Sequence, residues 1–274
     1  MLSYLHSFHA GNLADVHKHS ILAWVLAYLT QKEKPISYIE THSGRALYDL
    51  TSNDAQKTAE ALGGILRPDV RPWFLSDHPY QRVIAEVQRD YGAHMYPGSP
   101  WLASRLLRPT DRLHLAELHP TECAQLRQVM GGRASIYGED GYHLAARLCP
   151  PTPRRGLLLV DPSYELKTDY GSIPEFLAQI RRKWNVGIVI LWYPILRDPR
   201  HLGMVRALMR GDPEALCHEV TFGPVRPGHG MLGSGIWVSQ PPFGLLAETE
   251  RLSQCFQALA DFCPQASGDR RETS

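Results

Sequence analysis

The sequence predicts an α/β protein built on a mostly parallel, doubly wound sheet. Three observations carry that reading. Strand-like and helix-like stretches alternate with regular spacing from about residue 112 to 210, the pattern of successive β-α-β units. The runs Gly156–Asp161 and Gly187–Tyr193 are continuously apolar, as strands buried on both faces must be. Finally, 215–222 and 235–240 are two strand-like runs with no helix between them, which suggests an antiparallel hairpin at one sheet edge.

Taken in order, residues 14–30 read as an amphipathic helix with Ile21, Leu22, Val25, Leu26 and Leu29 on one face. A short strand follows at 36–41 and runs into the turn His42-Ser43-Gly44. A strand entering a small polar turn of this kind marks a carboxyl end, where ligands of open α/β sheets sit. From about 45 to 96 helical stretches at 54–65 and 78–91 flank a Pro-rich segment and no strand is evident, so this part is predicted to be an inserted helical subdomain. Pro97-Gly98-Ser99-Pro100 leads into a helix at 101–108 with proline in its first turn. Strands at 112–118, 134–140 and 156–161 then alternate with helices at 120–130 and 141–148. Helix 173–184, strand 187–193 and helix 199–210 follow, and after the terminal hairpin comes a helix at 245–262. The polar residues 265–274 are predicted to form a disordered tail. The reading is thus one domain over 1–264 with the insertion at about 45–96. A parallel sheet with an antiparallel edge hairpin is the outline of a Rossmann-like class I methyltransferase, although an outline does not by itself establish chemistry.

The bulk numbers narrow the partners. With 274 residues the chain buries a sizeable core without staples. The formal net charge is +1, so nucleic-acid binding has to come from local patches and not from the field of the whole molecule. Cys123, Cys149, Cys217, Cys255 and Cys263 are odd in number and have no metal or redox spacing, which reads as reduced thiols of a cytoplasmic protein. The apolar stretch Ile21–Leu29 is too short to span a bilayer, and no signal peptide is evident. A monomer with no membrane contact is expected.

The sharpest local signal is Val160-Asp161-Pro162-Ser163-Tyr164-Glu165, just past a buried strand. Methylation of an adenine amine needs such a set. The amine lone pair is delocalised into the ring, and two acceptors at its hydrogens, the Asp161 carboxylate and the Pro162 carbonyl, would draw the nitrogen toward tetrahedral geometry and stabilise the positive charge that develops on it. Tyr164 would stack on the extruded base. The competing reading is a plain turn, since Asp, Pro and Ser all favour one. Glu117 ends the next strand after the first ligand turn and is placed to accept two ribose hydroxyls; a surface Glu is its bland alternative. Glu139-Asp140-Gly141 ends the strand after that, where an acid sits near a cofactor adenine. The turn Thr41–Ala46 holds one Gly and is a poor match to a phosphate loop, which disfavours a dinucleotide.

The N-terminal segment is dense in histidine: Tyr4, His6, Phe8, His9, Gly11, Asn12, Asp15, His17, Lys18 and His19. Zinc is the obvious competitor, but no HExxH pattern is present and no Cys joins the cluster, so no metal is expected. The segment reads instead as a polar loop over a ligand, with Tyr4, Phe8, His6 and Lys18 placed to contact a base and a phosphate. Arg154 and Arg155 precede the strand at 156 at its amino end, which places them far from the site.

These residues together resemble the RlmJ family of bacterial 23S ribosomal RNA adenine-N6 methyltransferases. The resemblance rests on the N-terminal run from Tyr4 to His19 and on Thr41-His42, Tyr96-Pro-Gly-Ser99-Pro and Glu117-Leu-His-Pro. It extends through Asp140-Gly141, Val160-Asp161-Pro162, Tyr164-Glu, Lys167-Thr-Asp-Tyr170 and Leu191-Trp-Tyr-Pro194, nearly the whole chain to about residue 240. It implies S-adenosylmethionine as cofactor, held by His19, His42, Ser99, Glu117, Asp140 and Gly141. It also implies Asp161 as catalytic acceptor, Tyr4 as a contact to RNA, and adenine 2030 of unassembled 23S RNA as target. Two departures stand out: Ser163 replaces the second proline of Asp-Pro-Pro-Tyr, and Arg45-Ala46 stands where relatives often have Ala-Gly. The alternatives are a DNA adenine methyltransferase, which would share the motif, a nucleic-acid-binding protein that has lost catalysis, and a metal-dependent hydrolase.

Overall fold

The computed structural model describes residues 5–223 and 230–261. A long helix, α1 (Leu13–Thr30), precedes β1 (Ser37–Glu40). The segment between β1 and the next strand of the main sheet holds β2 (Leu47–Asp49), α2 (Asn53–Thr58), α3 (Pro79–Tyr91), β3 (Met95–Pro97) and α4 (Ser99–Leu106). The regular part follows as β4 (Arg112–Ala116), α5 (Pro120–Met130), β5 (Ser135–Tyr137), α6 (Gly141–Leu148), β6 (Gly156–Val160), α7 (Asp169–Lys183), β7 (Ile188–Leu196) and α8 (His201–Gly211). β8 (Leu216–Thr221), β9 (Met231–Ser239) and α9 (Leu245–Asp261) close the described chain.

Seven strands form one sheet in the order β5-β4-β1-β6-β7-β9-β8. Pairing is parallel from β5 to β7, and β9 runs antiparallel to both β7 and β8. This is the Rossmann-like class I methyltransferase sheet that the alternation predicts. Alternation of side chains in β6 explains its continuous apolar sequence: Leu157 and Leu159 enter the core on one face, Leu158 and Val160 the core on the other. Helices α1, α3, α4, α5 and α9 cover the first face and α6, α7 and α8 the second. Strand order reverses at β1, so its carboxyl end and that of β6 open a crevice between them, the usual place for a ligand in such sheets.

The structure departs from the sequence reading in four places. α1 is not a surface helix with one apolar face: it is buried nearly all round, including Asp15, His17, Lys18, His19 and Ser20. α3, α4 and α9 all pack against it, so its polar residues face partners and not water. Two strands lie where none was expected, β2 paired antiparallel with β3 through Leu47–Asp49 and Met95–Pro97; three-residue strands leave no periodic signal. The helix expected at 54–65 breaks at Ala59, whose φ is +53°, and continues as a 3-10 turn, Glu60–Gly63. α7 begins at Asp169 with Pro174 inside it, where the predicted start put that proline in the first turn. Cys263 and the expected tail at 265–274 lie outside the described residues. Among those residues no helix is long and apolar enough to cross a membrane.

Candidate active site

A cavity of about 620 Å³ lies at the carboxyl ends of β1, β4 and β6, a size suited to a cofactor together with part of a substrate. Its walls bring together most of the residues singled out in the sequence. His6, Lys18, His19, His42, Ser99, Glu117, Asp140, Gly141, Asp161, Pro162 and Tyr164 all line it. Tyr4 lies outside the described residues.

The first wall is the turn after β1. Gly44 has φ +62°, and a Cβ there would meet the Tyr48 hydroxyl at 2.3 Å, so the turn requires glycine. Its N–H donates to Glu117 Oε2 at 2.8 Å, and the His119 N–H donates to Glu117 Oε1 at 2.7 Å. Each Glu117 oxygen therefore has one backbone donor and a remaining lone pair. Desolvation raises the Glu117 pKa, and the two backbone donors oppose that rise. Asp140 caps α6 by accepting the His143 N–H at 2.9 Å. The next residue, Gly141, packs so closely on the turn after β1 that a Cβ would sit 1.9 Å from the Thr41 carbonyl oxygen. His42 hydrogen-bonds Thr41 Oγ1 at 2.7 Å and meets the Tyr142 ring edge-on; desolvation holds its imidazole down at about 4. Of the two sequence departures, Arg45 is accommodated by Glu122, to which it donates from Nε at 2.9 Å and from Nη2 at 2.5 Å. Ala46 adopts φ +70°.

The second wall comes from α1. Asn12 caps the helix by accepting the Asp15 N–H at 2.9 Å. Lys18 is buried, with Nζ 2.6 Å from Asp161 Oδ2 and 3.1 Å from Asp15 Oδ1. Burial alone would lower its pKa, but the two carboxylates outweigh that and raise it. Lys18, read from the sequence as a contact to the RNA substrate, has its ammonium between two carboxylates at the cavity wall. His6 lies 2.9 Å from Asp15, also at the cavity wall. His19 bonds the Tyr96 hydroxyl at 2.8 Å, and desolvation holds it down at about 3. His9 bonds Glu60 at 2.8 Å and His17 bonds His218 at 2.9 Å, so the density of histidines reflects separate pairings. Among the described residues no cluster of three His, Cys, Asp or Glu is arranged to hold a metal.

The third wall is the segment after β6. Pro162 is buried, while Asp161 and Ser163 are half-buried. Tyr164 takes φ +55°, and its hydroxyl donates to the Trp192 carbonyl at 2.8 Å. Its ring lies 4.8 Å from that of Tyr170 and 6.1 Å from that of Trp192. Trp192 also lines the cavity, with Lys18 Nζ 5.4 Å from its ring centroid.

Several participants were not found from sequence. Glu40, at the end of β1, is fully buried and accepts from Tyr38 at 2.8 Å and from Ser99; desolvation pushes its carboxyl up to about 8. Its position at a strand end next to a ligand turn was the available signal. Ser43, His119 and Tyr142 line the cavity, and Ser43 Oγ, His119 Nδ1 and Tyr142 Oη are buried with no hydrogen-bond partner among the described residues. Such atoms carry a desolvation cost unless a ligand meets them. Together with a half-satisfied Glu117 at a strand end they fit a nucleoside-bearing cofactor such as S-adenosylmethionine, which offers hydroxyls and ring nitrogens and no phosphate. Arg154 and Arg155 lie at the other end of β6, where Arg155 donates to the Leu29 and Lys34 carbonyls.

Comparison with known proteins gives a consistent result. The family model described as "Ribosomal RNA large subunit methyltransferase D, RlmJ" matches residues 33–272. The chain is 39% identical over 253 residues to Ribosomal RNA large subunit methyltransferase J of Escherichia coli (strain K12), covering 89% of each. It is 36% identical to the protein of the same name from Haemophilus influenzae, covering 92% of each. A crystal structure of a protein from Legionella pneumophila superposes with a TM-score of 0.82 at 35% identity, covering 92% of this chain and 94% of that one.

Proposed function

From the premise that the chain belongs to the RlmJ family of ribosomal RNA large subunit methyltransferases, we propose that it methylates the N6 amine of one adenine in 23S ribosomal RNA, position 2030 by family resemblance, before the RNA is assembled into subunits. S-adenosylmethionine is its methyl donor. The observation that carries the reading is that Asp161-Pro162-Ser163-Tyr164 opens into the same cavity as Glu117, Asp140 and the unpartnered Ser43 hydroxyl.

In this reading His19, His42, Ser99, Glu117, Asp140 and Gly141 hold the cofactor, which supplies an electrophilic methyl group on a sulfonium. Glu117 accepts from the ribose hydroxyls with the lone pairs that Gly44 and His119 leave open. The Asp161 carboxylate and the Pro162 carbonyl accept from the adenine amine and favour the positive charge that grows on its nitrogen. Lys18 holds the Asp161 carboxylate in place. Tyr164, with its hydroxyl fixed by the Trp192 carbonyl, supplies with Trp192 an aromatic wall for the extruded base. Tyr4 and His6 contact the RNA, and the buried Lys18 acts on the substrate side through Asp161. No metal takes part.

The test is to incubate the protein and labelled S-adenosylmethionine with naked 23S RNA, assembled large subunits and DNA, and to map the modified base. Label on a single adenine N6 of naked RNA supports the reading. Label on DNA alone, on another atom, or only on assembled subunits refutes it in that respect.

A further inference from the structure

Asp15 has no role in the chemistry above, yet its carboxylate is 1% exposed and engaged on both oxygens. Oδ2 accepts the Gly11 N–H at 2.9 Å and lies 2.9 Å from His6 Nε2. Oδ1 lies 3.1 Å from Lys18 Nζ and 3.7 Å from His19 Nε2. Its backbone is fixed as well, since its N–H donates to the Asn12 cap, and Gly11, at φ +77°, turns the chain so that its own N–H meets the carboxylate. Burial would raise the Asp15 pKa, but His6, Lys18 and His19 override it and hold the carboxyl well below the ordinary range.

We propose that Asp15 is a positioning residue for methyl transfer, clamping the Lys18 ammonium between two carboxylates so that Asp161 keeps its negative charge for the substrate amine. The proposal rests on the functional reading above. A buried ammonium paired with Asp161 alone would neutralise it and weaken it as an acceptor toward a nitrogen that becomes positive. With Asp15 present, the two carboxylates and the ammonium carry one net negative charge. That charge favours a cationic transition state in a site of low dielectric. Asp15 also fixes the direction from which Lys18 reaches Asp161, because Lys18 follows it by three residues on α1 and meets it on the same helix face.

Asp15→Asn keeps the shape and an acceptor for Gly11 but removes the charge. Turnover on RNA is expected to fall about 100-fold, the scale of a misplaced catalytic group, with KM for S-adenosylmethionine little changed. The 15N resonance of Lys18 Nζ, identified by its loss in Lys18→Met, is expected to titrate at a lower pH than in wild type. Asp161, His19 and Glu40 near the ammonium, and His6, Tyr48 and Tyr96 near the carboxylate, are present in both proteins, so the charge removed is that of Asp15. Asp15→Glu restores the charge and should return the titration toward wild type; it also serves if the Asn variant does not fold. An unmoved Lys18 titration in the folded Asn variant, or in the Glu variant a titration lowered as though no charge were present, overturns the proposal. The resonance is read without turnover. A wild-type protein that transfers no methyl to RNA would refute the functional reading while the titration still decides the role of Asp15.

Discussion

Lys18 on α1 donates to Asp161 after β6 across 2.6 Å, although 143 residues separate them in the chain. The contact ties the N-terminal segment to the loop that carries the proposed acceptor. It also makes the consequences of changing Asp161 specific. Asp161→Ala should abolish labelled-methyl transfer while S-adenosylmethionine affinity, by calorimetry, stays close to wild type, because the carboxylate acts on the substrate amine. Asp161→Asn should be severely impaired too, since its amide keeps an acceptor but loses the charge that both Lys18 and the transition state require. Near-normal turnover in Asp161→Ala would remove this residue from the mechanism.

Asp161 was legible in the sequence because a carboxylate, a proline and an aromatic just past a strand such as β6 form a local pattern. The strands β6 and β7 were legible for the same reason: burial on both faces writes a continuous apolar run. Glu117 and Asp140 followed from the rule that ligands gather at carboxyl ends. The pairing of Lys18 with Asp161 was not legible, because an ion pair between residues 18 and 161 leaves no local trace. The role of Glu40 depends on Ser99 and Tyr38 meeting it in space, and Ser43 and Tyr142 become informative only once they prove to be buried and unpartnered. The burial of α1 was illegible because it is imposed by α3, α4 and α9 from elsewhere in the chain.

Glu117→Ala should weaken S-adenosylmethionine binding by roughly 1.5–3 kcal/mol, the range for hydrogen bonds to a charged group. The same change leaves the Gly44 and His119 N–H groups without their acceptor, so the ligand-free protein should also melt at a lower temperature. Calorimetry showing unchanged affinity would mean that Glu117 serves only to brace the turn.

Glu40 gives the protein a predictable pH dependence. Its carboxyl ionises near 4.5 when unfolded and near 8 when folded, with desolvation as the main cause. Between those values the folded state binds the proton that the unfolded chain releases. The group's contribution is therefore fully present below about 4.5 and is lost as the pH rises through about 8. Glu40→Gln cannot ionise, so urea unfolding should show the variant gaining stability relative to wild type as pH rises across that interval. A constant difference between the two proteins would contradict a protonated Glu40.

Ser163 marks a departure from the family pattern, and the cavity gives it a defined test. If the acceptor is the Pro162 carbonyl, the side chain at 163 shapes the turn and does no chemistry. Ser163→Ala should then be nearly silent. Ser163→Pro should keep activity within about tenfold of wild type, equivalent to about 1.4 kcal/mol in the barrier. It should add about 0.4–1 kcal/mol of stability if the backbone there accepts a proline φ. Tyr164, at φ +55°, limits that gain, because its left-handed conformation has to persist beside the new ring. The opposing idea makes the Ser163 hydroxyl a nucleophile or an essential hydrogen-bonding group. It needs a base, and Lys18, paired with Asp161 and Asp15 in the cavity, is a protonated ammonium that cannot serve as one. A hydroxyl without an activating base is a weak nucleophile. Steady-state assays of the two variants decide it: loss of activity in Ser163→Ala as complete as in Asp161→Ala would overturn amine methylation through Asp161 and Pro162.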